Sequence, residues 1–100
     1  MSMPINEYKN KGYMKTFKDL EFKPHAADKN GVQARIEFDN GWGASVIKYE
    51  HSYGGQSGLF ELAVLKDGYV DMNNDITDDV IGWLDESDVT KVLKQIQELA

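Results

Sequence analysis

Between Val32 and Phe38 the chain alternates apolar and polar residues without a break: Val32, Ala34, Ile36 and Phe38 on one parity, Gln33, Arg35 and Glu37 on the other. A period of two gathers the apolar set on one side only in an extended chain, so the stretch predicts a half-buried β-strand. Asn40-Gly41 follows, the dipeptide best suited to the positive φ angles of a type I′ hairpin turn. With those two as the loop residues, Asp39 opposes Trp42 and Phe38 opposes Gly43. Ile47 and Tyr49 of the returning segment 42–49 then share the first strand's apolar face. Any fold for this chain has to be built around that hairpin.

Segment 59–65 is apolar except for Glu61, which predicts a central strand covered on both faces. Asp67-Gly68 marks a second hairpin, with Tyr69–Met72 returning. Leu65, Ala63, Val70 and Met72 fall on one of its faces, and Phe60, Leu62 and Val64 on the other. Segment 80–84 reads equally as a short strand or a helical turn, being too short for periodicity to decide. The last element is plain. Val89, Val92, Leu93, Ile96 and Leu99 recur at helical spacing, which predicts a helix over about residues 86–99. Asp85 stands at its N-cap and Asp88 at the third helical position, where acidic residues suit the helix dipole.

The opening MSMPINEYKNKGYMK has no clear period and is expected to be a flexible arm over residues 1–15, ahead of a single domain over 16–100. Phe17, Leu20 and Phe22 fit either one helical turn or a short strand, and Pro24 leads into the loop 25–31. The expected fold class is α+β: a four-stranded, mainly antiparallel meander of two β-hairpins, with a C-terminal α-helix packed on one face.

Composition enters as a constraint on function. The formal charge is −6, and it is unevenly placed. Residues 1–50 carry eight Lys/Arg against seven Asp/Glu, whereas residues 51–100 carry three against ten. From Asp67 to Asp88 there are eight acids (Asp67, Asp71, Asp75, Asp78, Asp79, Asp85, Glu86, Asp88) and no base. Phosphate contacts need clustered cations, so neither direct nucleic-acid binding nor an anionic membrane surface is expected. With no Cys there is no disulfide framework and no thiolate chemistry. No signal peptide or membrane-length apolar run is visible, and the expected location is the cytoplasm.

Catalytic signatures are missing. His25 and His51 stand far apart in loops, without a metal-binding or triad-like companion. Asp71, Asn73 and Asp75 sit at positions 1, 3 and 5 of a calcium loop, but position 6 is Ile76 and position 12 is Gly82, which rejects an EF-hand. Gly54, Gly55 and Gly58 lack the phosphate-loop pattern and precede a strand, so they read as a flexible connector. No catalytic, cofactor-binding or metal residue is therefore assigned, no cofactor is expected, and the chain is not expected to be an enzyme. Among the aromatics, Tyr49 and Trp83 are expected to fill the core. Trp42 beside the tight turn and Tyr53 in the glycine-rich loop are the candidate exposed anchors of a protein interface.

Taken together, ARIEFDNGWGASV, YGGQSGLFELAVL and ITDDVIGWLDESDVTKVLKQIQEL resemble a family of small uncharacterised proteins encoded by tailed bacteriophages and prophages, over about residues 16–99. The resemblance implies a setting, the cytoplasm of a phage-infected bacterium. It carries no catalytic residue across. The expected function is that of a small acidic phage accessory protein that binds a host protein, inhibiting a nucleic-acid-handling or defence factor through its acidic surface. Trp42, Tyr53, Asp75, Asp78 and Asp79 are its candidate interaction residues. Two alternatives stand beside it: a domain that sequesters a small anion or nucleotide at the glycine loop, and a minor structural or assembly protein that forms a homodimer through an exposed strand edge.

Overall fold

The computed structural model describes residues 14–100. The arm expected over residues 1–15 lies outside them, except for Met14 and Lys15. Lys15 exchanges two hydrogen bonds with the Gln97 side chain, its N–H donating to Oε1 and its carbonyl accepting from Nε2, both at 2.8 Å. The chain then makes a short 3-10 turn over Phe17–Asp19. Six strands follow: β1 Lys23–Pro24, β2 Val32–Glu37, β3 Trp42–Lys48, β4 Phe60–Lys66, β5 Tyr69–Val70 and β6 Ile81–Leu84. Helix α1, Glu86–Gln97, closes the described order.

All pairings are antiparallel, in the order β1-β2-β3-β4-β5, with β6 also on β4. β5 and β6 therefore share one edge of β4, β5 beside Leu65 and Lys66 and β6 beside Phe60 and Leu62. The class is α+β, with two strands more than the four expected. One addition is β1, where Lys23 and Pro24 pair with Gln33 and Val32. The other is β6, which settles segment 80–84 as a strand.

The first hairpin is real, but its register is one residue away from the expected one. Glu37 opposes Gly43 and Ile36 opposes Ala44. Phe38 and Trp42 close a three-residue loop, with the Phe38 N–H donating to the Trp42 carbonyl at 2.8 Å. Only Gly41 has a positive φ there, +86°, so the turn is not type I′ but the three-residue form with its left-handed residue at Gly41. A one-residue slip moves a whole strand's side chains to the other face. Ala44 and Val46, fully buried, thus line the core beside Ala34 and Ile36, while Ser45 faces Gln33 and accepts its amide hydrogen at 3.1 Å. Ile47 consequently sits on the face away from the core residues Ala44 and Val46, contrary to expectation. The slip sets Ala34 against Val46, Ile36 against Ala44 and Arg35 against Ser45, and Asn40 supports it. Its side-chain amide donates to the Ile96, Gln97 and Leu99 carbonyls at 3.0–3.2 Å, tying the turn to the end of α1. The true I′ turn is the second one: Asp67 and Gly68 have φ +53° and +87° between the paired Lys66 and Tyr69.

Helix α1 starts as its sequence directs. Asp85 accepts from the Asp88 N–H at 2.7 Å, and the Asp88 carboxylate accepts from the Asp85 N–H at 3.1 Å, a reciprocal cap. It ends at Gln97, two residues before the expected boundary, where Asn40 takes its last carbonyls. Val89, Val92, Leu93 and Ile96 are buried against Ala44, Val46, Phe60, Leu62, Val64 and Leu84. Phe17, Phe22 and Phe60 close one end, with ring centroids 5.2–5.6 Å apart. No helix of the described residues is long and apolar enough to cross a membrane.

Gly41→Val tests the turn. A β-branched residue in the left-handed region costs about 1–2 kcal/mol, which lowers the melting temperature by roughly 4–16 °C in a domain of this size. An unchanged melting curve would mean that the turn tolerates a negative φ.

Candidate functional site

The outer edge of β4 gathers what the core leaves out. Among the described residues, Tyr53, Tyr69, Val70, Met72 and Trp83 are the exposed large apolar side chains. Tyr69 and Val70 form β5, Met72 follows it, and Trp83 lies in β6 on the same edge of β4. Tyr53 joins them from the glycine-rich loop: its carbonyl accepts the Trp83 N–H at 3.1 Å, and its own N–H donates to Glu61 Oε1 at 2.9 Å. The loop can lie this close because it meets glycine. A Cβ on Gly82 would overlap the Tyr53 Cβ, and one on Gly54 would come within 2.9 Å of the Trp83 Cα.

Trp83 is the unusual member. Its φ is +59°, and it is 62% exposed. A bulky side chain in the left-handed region is a genuine outlier. Such a conformation costs on the order of 1–3 kcal/mol and persists only where its surroundings hold it. Here the holders are the irregular register between the Phe60–Leu84 and Leu62–Ile81 pairs, the bond to Tyr53 and the close approach of Gly54. Core filling, expected for Trp83 from sequence, is overturned by its exposure. Nothing in the residue string marks a left-handed tryptophan, and only the neighbouring Gly82 hints that backbone passes close by.

The predicted interaction residues divide. Tyr53 is 60% exposed and stands beside Trp83. Trp42 is half-buried against the core; its indole N–H donates to the Ala100 carbonyl at 3.2 Å, and the Lys66 ammonium sits 4.4 Å from its ring centroid. It is a packing residue at the far end of β4, not part of the Tyr53–Trp83 pair. Asp75, Asp78 and Asp79 are all exposed, on the loop that leaves the β4 edge after Asp71 and returns to it at Ile81.

That loop is folded by its own polar side chains. Asp71 Oδ1 accepts from the Asn73 N–H and the Asn74 amide, and Asn74 Oδ1 accepts from the Ile76 and Thr77 N–H groups at 2.9–3.0 Å. Several oxygens of the acidic window are thus committed to structure: Asp71 here, Asp85 and Asp88 at the helix cap. Among the described residues no three His, Asp or Glu side chains converge in a way that could hold a metal ion.

The glycine-rich loop is packed rather than loose. The N–H groups of Ser52, Tyr53, Gly55, Ser57, Gly58 and Leu59 all donate within the chain, through a 3-10 turn at Gly55–Ser57 and the bond to Glu61. The two histidines flank Tyr49, His25 stacked on its ring at 4.3 Å and His51 edge-on at 6.1 Å. The His25 Nδ1 accepts the Ala27 N–H at 3.0 Å.

The chain matches no protein-family model, no curated protein and no solved structure.

Proposed function

We propose that this chain is a small non-catalytic binding protein that docks a basic protein surface on the outer edge of β4, with Trp83 and Tyr53 as the anchor. The observation that carries this reading is Trp83, an exposed indole held at φ +59°. A fold under no demand at that position would relieve the conformation with glycine. Trp and Tyr dominate the energetics of protein interfaces, because they bury large areas at low entropic cost. The exposed Asp75, Asp78 and Asp79 rise from the loop between Met72 and Trp83, on the rim where charge steers encounter. The resemblance to small phage-encoded proteins makes a bacterial host protein the expected partner, with inhibition of a nucleic-acid-handling or defence factor as the expected consequence.

The test is Trp83→Gly. Glycine accepts the left-handed backbone, so the variant should melt within about 1 kcal/mol of the parent, strain relief offsetting glycine's own entropic cost. Binding should collapse: an anchor worth 2 kcal/mol or more corresponds to about 30-fold faster dissociation. Partner proteins are first taken from a bacterial extract on the immobilised full chain, then measured singly by biosensor. Replacing Asp75, Asp78 and Asp79 together with Asn should instead slow association and flatten its salt dependence. A Trp83→Gly variant that stays folded and binds with parental kinetics removes the reading. Parental rates for the triple Asn variant would reduce the acids to a solvated rim.

A further inference from the structure

On the other side of the sheet, β2 has an open edge whose residues complement themselves. The Phe38 N–H bonds to the Trp42 carbonyl. In an antiparallel ladder, alternate residues turn their main-chain groups to the same neighbour. The groups of Val32, Ala34, Ile36 and Phe38 therefore face β3, and those of Gln33, Arg35 and Glu37 face outward. β1 pairs only with Val32 and Gln33. The chain leaves that edge at Phe22, whose ring turns into the core against Phe17 and Phe60. Among the described residues, the outward main-chain groups of Arg35 and Glu37 have no partner.

We infer that two copies of this chain pair antiparallel along β2, about a two-fold axis at Ile36. This register closes both open pairs. The outward groups of Arg35 meet those of Glu37 in the second copy, and the reverse. On the face opposite the helix, each Arg35 then lies directly across from a Glu37, the favourable cross-strand arrangement. Neither residue has an ion-pair partner among the described residues: Arg35 donates to the Gly68 carbonyl at 2.7 Å, and Glu37 lies beside the same turn. On the helix face Ile36 meets Ile36, and Ala34 meets Phe38, apolar against apolar. A two-fold at Phe38 would set Glu37 against Asp39, and one at Ala34 would need the Gln33 groups that β1 already holds. Beyond Phe38 each strand gives way to the β2–β3 turn, which Asn40 ties to the end of α1.

The test uses the full chain. Sedimentation equilibrium should show its mass rising from monomer to dimer with concentration. Arg35→Glu and Glu37→Arg place like charges across the axis and should each weaken association at least 10-fold, whereas the double swap restores opposite charges and should restore association. Because Arg35→Glu also loses the bond to Gly68, a second measurement stands apart from it. The chain has no native cysteine. Mixing Arg35→Cys with Glu37→Cys chains under mild oxidation should cross-link the two kinds to each other in preference to themselves, since residues directly opposed in a ladder lie within disulfide range. A monomer at all concentrations overturns the inference. So does cross-linking mainly between like chains, or a double swap that dissociates as fully as either single change in folded protein.

Discussion

Leu93→Ala is expected to remove roughly 2–5 kcal/mol of stability, measured by urea or thermal unfolding. Leu93 is fully buried where α1 meets the sheet, among Val46, Leu62, Val64 and the rest of the single core. Truncation loses the transfer energy of its buried carbons and leaves a cavity that a closely packed sheet cannot collapse around. Ile96, also fully buried, should behave alike. Against a total of about 5–15 kcal/mol for an ordinary domain, either change brings the chain near its threshold. Lys91 and Lys94 on the exposed face of the same helix provide the contrast; Ala at either should stay within about half a kcal/mol. If the lysine variants melted first, the helix would be packed on its other face.

Gly43→Ala should also be damaging, though it adds a single methyl group. Gly43 is buried in β3 opposite Glu37, and a Cβ there would overlap the Ile36 carbonyl oxygen and press on the Glu37 Cα. Both obstacles are backbone of the neighbouring strand, so neither can swing aside as a side chain would. The ladder between β2 and β3 has to open locally, at a cost of about 1–3 kcal/mol or more. Amide exchange at Ile36 and Phe38 should then accelerate more than exchange in α1. A variant that melts with the parent and keeps those amides protected would mean that the two strands lie further apart than described.

The sheet and the helix were legible because their signals are local. Alternation over Val32–Phe38, the apolar run 59–65 and the three-four spacing from Val89 to Leu99 each describe one face of one element. The reciprocal Asp85–Asp88 cap is a contact three residues long and was readable in full. The register of the first hairpin was not, because Asn40-Gly41 suits two turns. The choice fell to the distant carbonyls of Ile96, Gln97 and Leu99, and to whether Ala44 and Val46 or Ser45 and Ile47 would meet the core. Tyr53 and the loop aspartates could be picked out as exposed from their setting among polar residues and glycines. Trp83 could not, since an apolar residue inside an apolar pentapeptide reads as core unless its backbone angle is known.

What the chain's sequence determines by itself is that segments 32–38, 42–49 and 59–65 are strands, where the helix starts, and how acidic the second half is, since these follow from side-chain spacing and charge within each segment. Tertiary structure alone decides which strands are neighbours and which side chains stay outside. β6 joins β5 on one edge of β4, β1 stops short and leaves Arg35 and Glu37 at an open edge, and Gly54 and Gly82 let the Tyr53 loop close on Trp83. The physical reason is common to all three. Main-chain pairing and close backbone approach join residues far apart in the chain, and a linear pattern records the face a residue prefers but not the partner it finds there.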